Sequence, residues 1–379
     1  MTASRIPSVE GGIQPTLLTA KGDLLTASAT STVTNLPVGA DGQTLVANSA
    51  SASGLQWQSV LSPYAAGKNS VLNSNFSVWQ RGTSVSVSAA SNAYTADRWQ
   101  LFTQSGQAST VSRQATGDTT NLPNIQYCAR VQRNSGQTGA GQMSFIQPLE
   151  TANTIPFAGK SITLSYYARA GANFSPTSNA FNFLLYTGTG TDQNPITGGY
   201  TGGTSLATST VNLTTTWTKY SVTTTVPTSV TELTAYAYWS ATGTAGTNDY
   251  VEITGVQLEV GSVATAFQTA TGTIQGELAA CRRYLPAYYV NEWAGYAYAT
   301  NATLHMVNFD TPARVAPTGI TSSGTFTAYA LNVGTSVAIA FNVGSVNGAD
   351  IGTSGLTIIA GQGSRLGGSG LILFTGCEL

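Results

Sequence analysis

The chain has 379 residues, of which 41% are hydrophobic and only 8% are charged, and its formal net charge at pH 7 is −1. Roughly 25% of the residues of an average soluble protein are charged, so Ser, Thr, Asn, Gln and Gly must cover this surface. High hydrophobicity with low net charge argues against disorder. Lys and Arg are scattered along the chain, which argues against a nucleic-acid partner, because phosphates are neutralised by clustered cations.

The polar N-terminal lead, residues 1–18, lacks the apolar core of a signal peptide, and no run of about 20 apolar residues follows it. We therefore predict synthesis in a cytoplasm and no membrane insertion, and interpret the lead as an anchor to another protein. Cys128, Cys281 and Cys377 are odd in number and far apart, which fits neither a CxxC metal site nor a disulfide framework. We interpret them as small buried hydrophobic residues.

Residues 19–62 carry short apolar pairs separated by turns, too few and too evenly spread for an independent core. Identical chains winding side by side would bury them along a common axis, and a closed cyclic assembly would prevent uncontrolled growth. The alternative is a flexible linker, but linkers rarely carry paired leucines and a Trp. We therefore predict an intertwined shaft segment. Its interface residues are Leu24, Leu25, Leu36, Val38, Leu45, Val46, Leu55 and Trp57.

Residues 69–270 contain alternating stretches such as SITLSYYARA, TWTKYSVTTTV and ELTAYAYWS, divided by Gly, Asn, Pro and Asp clusters. Many short strands with regular turns predict an all-β sandwich or barrel. The alternation in NFSVWQRG (75–82) predicts a further strand, with Trp79 in the core.

The connector, residues 271–285, contains the one helical pattern. In TIQGELAACRRYL (273–285), Ile274, Leu278, Cys281 and Leu285 fall roughly on one face. Residues 286–379 form a second, smaller β region.

Ordered motifs resemble fibre proteins of tailed bacteriophages. TAKGDLL through GLQWQ (19–58) is similar to their shaft segment, with its "KGDLL", "LPVGADGQ" and "GLxW" motifs. LNSNFSVWQRG through TADRW (72–99) resembles the start of their jelly-roll, carbohydrate-binding-module-like domain, and VEITGVQLEVGSVATAFQ (251–268) resembles its closing strand. ELAACRRY (277–284) resembles the connector, and NFDTPARVAPTGITSSGTF (308–326) resembles the entry to the C-terminal β domain.

The resemblance implies a homotrimeric virion protein that is made in the host cytoplasm and meets the host surface. The leading hypothesis is a tail-associated fibre that binds host cell-surface glycans without catalysis. A capsid-anchored head fibre or decoration protein is the alternative. A polysaccharide-degrading tailspike is disfavoured, because the sequence shows neither a parallel-β-helix repeat nor a convergent acid pair. Residues 1–18 match nothing in the family, and residues 327–379 inherit only the fold class.

No catalytic or cofactor site emerges from the candidate acids and bases. Asp97 is interpreted as a turn carboxylate that caps backbone N–H groups. Glu252 and Glu259 are expected at the solvated face or rim of a sheet, around a Gly255 bulge. A glycosidase acid pair or a structural calcium site would be their alternative uses. His305 is the only histidine, so no catalytic triad or zinc site built around a His pair exists.

Two aromatic clusters are the glycan-binding candidates, because aromatic side chains with polar neighbours stack on sugar rings. In the first, Tyr236 and Tyr238 lie on one face of a predicted strand, with Trp239 on the other. The second, within residues 284–300, supplies Trp293, Tyr296 and Tyr298. Aromatic clusters also fill oligomer interfaces, so both uses of the second cluster remain open.

The shaft interpretation predicts an obligate oligomer. Sedimentation of the purified protein should give about three times the 39.1 kDa chain mass. Leu24→Asp or Leu45→Asp should prevent assembly, because an unpaired charge in a shared core costs about 3–5 kcal/mol. A stable monomer at micromolar concentration, or normal assembly of both variants, would identify the segment as a linker.

Overall fold

The computed structural model describes residues 17–30, 32–40, 43–59, 66–122, 124–330 and 333–379. Most of the predicted anchor, residues 1–16, lies outside the described residues. The chain divides into two compact units, Met1–Ala65 and Ala66–Leu379. Among the described residues, no helix combines the length and the apolar character needed to cross a membrane.

The first unit consists of two antiparallel hairpins. Strand β1 (Leu24–Ala29) pairs with β2 (Thr32–Leu36), and β3 (Gln43–Ala47) pairs with β4 (Leu55–Ser59). The indole Nε1 of Trp57 joins the hairpins by donating to the Pro37 carbonyl at 2.7 Å. Gly39 is required there, since a Cβ on it would lie 2.6 Å from the indole.

Asp23 organises the start of the first hairpin. Its carboxylate accepts hydrogen bonds from the main-chain N–H groups of Val38 at 3.0 Å and Ala20 at 2.9 Å. These bonds, that of Val38 above all, hold the pKa of Asp23 well below its usual range. The Asp of the KGDLL motif therefore has a local structural role within one chain.

None of the eight predicted shaft residues is fully buried within one chain. Leu24 and Val38 are exposed, and the other six are half-buried. The two hairpins thus leave apolar surface accessible. Contact with further copies of the chain would require such a surface. The intertwined assembly itself stays a prediction.

The second unit begins with a sandwich. Its strands are β5 (Ser84–Val87), β6 (Asn92–Tyr94), β7 (Gln100–Phe102), β8 (Ser109–Ala115), β9 (Tyr127–Arg133), β10 (Gly141–Pro148), β11 (Ser161–Ala170), β12 (Ala180–Gly188), β13 (Thr204–Asn212), β14 (Thr218–Thr225), β15 (Glu232–Ala241) and β16 (Tyr250–Val260). A short helix, α1 (Thr151–Thr154), follows β10. One antiparallel sheet has the order β13-β12-β15-β10-β7-β6 and the other β14-β11-β16-β9-β8-β5. The chain crosses repeatedly between the two sheets, and the predicted all-β, jelly-roll architecture is confirmed.

Aromatic side chains dominate the core between the sheets. The Trp99 ring lies 5.1 Å from Phe76 and 5.0 Å from Phe145. Residues 75–82 contain turns and irregular backbone but no strand, so the prediction of a strand there was wrong. Trp79 nevertheless packs in the core, because Phe76 adopts a positive φ of 53° and its carbonyl accepts the Trp79 indole N–H at 2.7 Å.

Strand β16 carries the expected bulge at Gly255, where φ is 57° and the register with β11 shifts. The expected exposure of its two glutamates was wrong, since both are buried. Glu252 accepts hydrogen bonds from Arg130 Nη2 at 2.6 Å and Arg169 Nε at 2.5 Å. Glu259 accepts from the Thr265 N–H at 2.9 Å and lies 3.3 Å from Lys68 Nζ. Partners from neighbouring segments make this burial possible.

Helix α2 (Ile274–Arg282) follows the sandwich, and the Thr273 hydroxyl caps it by accepting from the Gly276 N–H at 3.1 Å. Ile274 was predicted on the buried face but is 51% exposed. Glu277 is buried instead, because its carboxylate accepts the N–H groups of Asn73 at 2.7 Å and Thr271 at 2.9 Å. Polar contacts thus help to hold this helix on the sandwich. The three cysteines are free and buried.

The terminal β region contains β17 (Ala287–Tyr289), β18 (Trp293–Ala299), β19 (Ala302–Asn308), β20 (Gly319–Ser323), β21 (Phe326–Ala330), β22 (Val333–Ser336), β23 (Ile339–Ser345), β24 (Gly348–Ser354), β25 (Gly363–Gly368) and β26 (Leu371–Thr375). A three-stranded sheet, β17-β26-β20, accompanies a seven-stranded sheet, β22-β21-β25-β18-β19-β24-β23. A separate core includes Ile351, Leu366 and Phe374. After β26 the chain returns to the sandwich, where Glu378 lies between Arg81 and Arg98.

Replacing the buried Glu252 with Gln should destabilise the protein. The variant Glu252→Gln keeps the side-chain shape but leaves two guanidinium groups without their shared anion, at a cost of about 2 kcal/mol. Urea unfolding measures the change. The matched control is Glu292→Gln, which removes the exposed ion pair with Arg365 and should cost less than about 1 kcal/mol. Equal, small losses in both variants would contradict the structural role of Glu252.

Candidate binding groove

The outer face of the sheet β13-β12-β15-β10-β7-β6 carries outward-pointing tyrosines. In β15, alternation directs Ala235, Ala237 and Trp239 into the core and leaves Tyr236 and Tyr238 on the outer face. The sequence predicted this arrangement, with the two tyrosines on one face of the strand and Trp239 on the other.

Neighbouring strands and a loop complete a groove with a cavity volume of about 310 Å³, here called the tyrosine groove. Its lining residues are Gln142, Leu184, Tyr186, Pro195, Ser205, Tyr236 and Tyr238. The ring centroids of Tyr236 lie 5.9 Å from Tyr186 and 6.2 Å from Tyr238, the latter pair edge to face. The groove therefore offers several aromatic surfaces at different inclinations.

Hydrogen bonds orient the polar groups of the groove. The Tyr236 hydroxyl donates to Ser144 Oγ at 3.0 Å, and Gln142 Nε2 donates to the same oxygen at 2.9 Å. Burial raises the pKa of Tyr236, so its phenol stays protonated at neutral pH. The ring is therefore held in place as a neutral surface.

The tyrosine groove has no charged lining residue. The titratable groups of its lining are the three tyrosines, and it offers no carboxylate or imidazole as a general acid or base. Its side chains can stack against a ligand and exchange hydrogen bonds with hydroxyl groups. The groove is thus suited to binding a neutral polar ligand.

A loop between β12 and β13, residues 189–203 and here called the wall loop, forms one side of the groove. Pro195 contributes directly, and the buried Tyr200 stacks behind Tyr186 at 5.6 Å. Gly203 permits this approach, since a Cβ on it would lie 2.4 Å from the Tyr186 hydroxyl. Within the GGYTGG run (198–203), Tyr200 is buried, whereas most of its neighbours are exposed.

Sequence reasoning missed Gln142 and Tyr186 as members of this surface, and Tyr200 as the ring behind it. Alternation in β12 could have assigned Tyr186 to the outer face, together with Leu184. Its proximity to Tyr236 depends on the pairing of β12 with β15, which joins Leu184 to Tyr236. That register is a tertiary property.

The second aromatic cluster lies on a different sheet and does not share one face. Tyr296 and Tyr298 are 50% and 54% exposed on the outer side of β18. Trp293 is an odd number of positions away, pairs with the buried Leu366, and packs against the terminal core. Trp293 therefore does not join the two tyrosines as an exposed candidate, because strand alternation places it on the opposite face.

The candidate acid and base residues are buried and hydrogen-bonded to neighbouring groups of the protein. Asp97 is buried, accepts the Gln80 N–H at 2.6 Å, and has its pKa raised by burial. His305 is buried beside the Thr303 hydroxyl at 2.8 Å, and burial lowers its pKa. Within the described ranges, no three His, Cys, Asp or Glu side chains are grouped to hold a metal ion. The absence of a cofactor stays a prediction, with structural calcium as its alternative.

No protein-family model matches the chain, and no curated protein matches it. Among solved structures, the CBM22-1 xylan-binding domain from Paenibacillus barcinonensis Xyn10C is similar, with 13% identity, 52% of this chain and 98% of that chain covered, and a TM-score of 0.31. TmCBM61 in complex with β-1,4-galactotriose shows 12% identity over 51% of this chain and 99% of that chain, with a TM-score of 0.30.

The enzymatically active domain of tailspike protein 4 of bacteriophage CBA120 is also similar. It shows 14% identity, covers 54% of this chain and 22% of that chain, and has a TM-score of 0.30. At these TM-scores, the function has to be inferred from the residues of the groove itself.

Proposed function

We propose that this chain is a non-catalytic glycan-binding protein and that the tyrosine groove is its sugar site. The observation that carries the proposal is the combination of three outward tyrosines with neutral polar side chains in one cavity. Pyranose rings have apolar faces that stack on aromatic rings, and their hydroxyl groups need hydrogen-bonding partners at the rim. The groove supplies both.

We further propose that the protein is a structural component of a tailed-phage virion, in a tail-associated fibre. The ordered motif resemblance between residues 19 and 326 supports this assignment. The fibre is a homotrimer joined through the shaft segment, and residues 1–18 attach it to another virion protein. The half-exposed apolar pairs of the shaft segment would be covered in such an assembly. This favours an assembly of several identical chains over a role of the segment as a flexible linker.

The absence of catalysis in this proposal rests on the groove's chemistry. No carboxylate lines the tyrosine groove, and the buried His305 is occupied by local hydrogen bonds. A glycosidase would need two carboxyl groups on either side of the scissile bond. In this proposal the protein adheres to surface glycans without cleaving them, and several groove copies in one fibre increase avidity by about 10²–10⁴.

Removing the groove's aromatic rings should weaken sugar binding. Tyr236→Ala and Tyr238→Ala should each reduce affinity about tenfold or more, because a stacked ring contributes roughly 1 kcal/mol beyond its buried area. Calorimetry with xylohexaose, β-1,4-galactotriose and oligosaccharides from the host envelope measures the change. The matched control is Tyr289→Ala, which removes an exposed tyrosine outside the groove.

Unchanged affinity in both groove variants would show that the sugar binds at another surface.

Incubation of the protein with the same oligosaccharides should release no reducing sugar. Release that one Asp or Glu substitution abolishes would instead identify a polysaccharide-degrading tailspike.

The exposed pair Tyr296 and Tyr298 is proposed as a second glycan contact. Tyr296→Ala with Tyr298→Ala should lower adsorption of assembled particles to host cells about tenfold or more, because avidity multiplies weak contacts. Sedimentation should show an unchanged oligomer mass. Dissociation of the oligomer would show that the two rings belong to a subunit interface, and normal adsorption would remove them from the receptor-binding surface.

A further inference from the structure

We infer that the terminal β region positions the sugar site, through Asn194 and Arg314, so that glycan binding and docking of the chain's last residues are coupled. This inference rests on the proposed function of the tyrosine groove. It assigns Asn194 and Arg314 as positioning residues, which act on the groove through the wall loop. Neither residue lines the cavity.

Asn194 connects the wall loop to the tail that follows β26. It immediately precedes the groove residue Pro195, and its side chain is buried. The amide Nδ2 donates to the main-chain oxygen of Leu379 at 2.8 Å and to Gln100 Oε1 at 3.0 Å. One side chain therefore joins the groove wall, the sandwich and the tail.

The other end of the same amide shapes the wall loop. Asn194 Oδ1 accepts the N–H groups of Ile196 at 2.8 Å and Thr197 at 3.3 Å. These bonds form an Asx-type turn around Pro195, which sets the direction in which the loop continues. The Leu379 oxygen, together with Gln100 Oε1 and the Tyr94 hydroxyl, fixes the rotation of the Asn194 side chain. The tail therefore contributes to the position of Pro195.

Arg314 supplies an independent second connection. Its guanidinium donates to the main-chain oxygens of Cys377 at 2.9 Å and Glu378 at 2.6 Å. Its Nη1 lies 3.5 Å from Oδ2 of Asp192, two residues before Asn194 in the wall loop. The same charged group thus contacts the tail and the loop.

The tail is itself held firmly on the sandwich. Glu378 Oε1 accepts a hydrogen bond from Arg81 Nη2 at 2.6 Å, and Oε2 lies 3.3 Å from Arg98 Nη1. Tyr94 also donates its hydroxyl proton to the main-chain oxygen of Leu379. A tail anchored by two cations is a rigid support for Asn194.

Coupling between two sites is reciprocal in free energy. If the docked tail stabilises the binding geometry of the wall loop, then a bound glycan must stabilise the docked tail by the same factor. A neutral oligosaccharide is the suitable ligand, because the groove offers no charge to compensate a desolvated anionic sugar. Binding at the groove is thereby transmitted to the terminal β region.

The test uses the full chain and two variants. Asn194→Asp removes the amide donors to Leu379 and Gln100 but keeps the acceptor of the Asx turn. Arg314→Ala removes the second connection. Without sugar, both variants should show faster amide hydrogen exchange in residues 189–203. Both should also bind the neutral oligosaccharide that wild type binds best, chosen from the xylose and galactose series, about fivefold more weakly.

The matched control is Arg365→Ala, which removes a cation of the terminal β region that pairs with Glu292 and contacts no part of the wall loop. Exchange in the loop and sugar affinity should stay at wild-type values. In wild type, saturating oligosaccharide should slow exchange in residues 371–379. A residue with a purely local stabilising role would not produce this reciprocal effect.

Unchanged loop exchange and sugar affinity in folded Asn194→Asp and Arg314→Ala would overturn the inference. Failure of bound sugar to protect residues 371–379 would also overturn it, while leaving the glycan-binding proposal intact. Absence of sugar binding by wild type is a separate outcome, which would overturn the proposed function and this inference together.

Discussion

The buried cation Arg98 joins three segments of the second unit. Its guanidinium lies 3.6 Å from the ring centroid of Tyr284, donates to the Pro148 carbonyl at 2.6 Å, and lies 3.3 Å from Glu378. A buried charge is tolerated only when its partners are present, and losing one typically costs about 3–5 kcal/mol. These partners come from the sandwich, the segment after α2 and the tail. The cation therefore requires all three to assemble together.

The need for partners also determines where the few charged residues of this chain lie. Buried carboxylates also lie at junctions, as Glu150 does between the sandwich and the connector, where it accepts hydrogen bonds from the partly exposed Arg283. The motif ELAACRRY thereby gains a physical meaning, because Glu277, Cys281, Arg283 and Tyr284 all contribute to this junction or are buried in it. The outer face of one sheet remains neutral and aromatic. A neutral surface of this kind suits the proposed binding of glycans through stacking and hydrogen bonds.

Strand alternation predicted the all-β architecture and the outward direction of Tyr236 and Tyr238, since side-chain direction in a strand is a local property. Local pattern could not show that Gln142 and Tyr186 lie beside them, because that depends on the pairing of three strands distant in sequence. Nor could it show the burial of Glu252, whose two cationic partners lie on the adjacent strands. The strand predicted for residues 75–82 was wrong for a related reason. The backbone there adopts positive φ values, which interrupt the alternation of a strand.

We propose above all that a neutral glycan occupies the tyrosine groove. The most direct measurement is a crystal structure of the full chain with a bound neutral oligosaccharide, chosen by affinity. The account predicts a sugar ring stacked on Tyr236 or Tyr238, with the Gln142 amide hydrogen-bonded to a sugar hydroxyl and Pro195 in contact with the ligand. An oligosaccharide bound on another surface, with the tyrosine groove empty at saturating concentration, would contradict it.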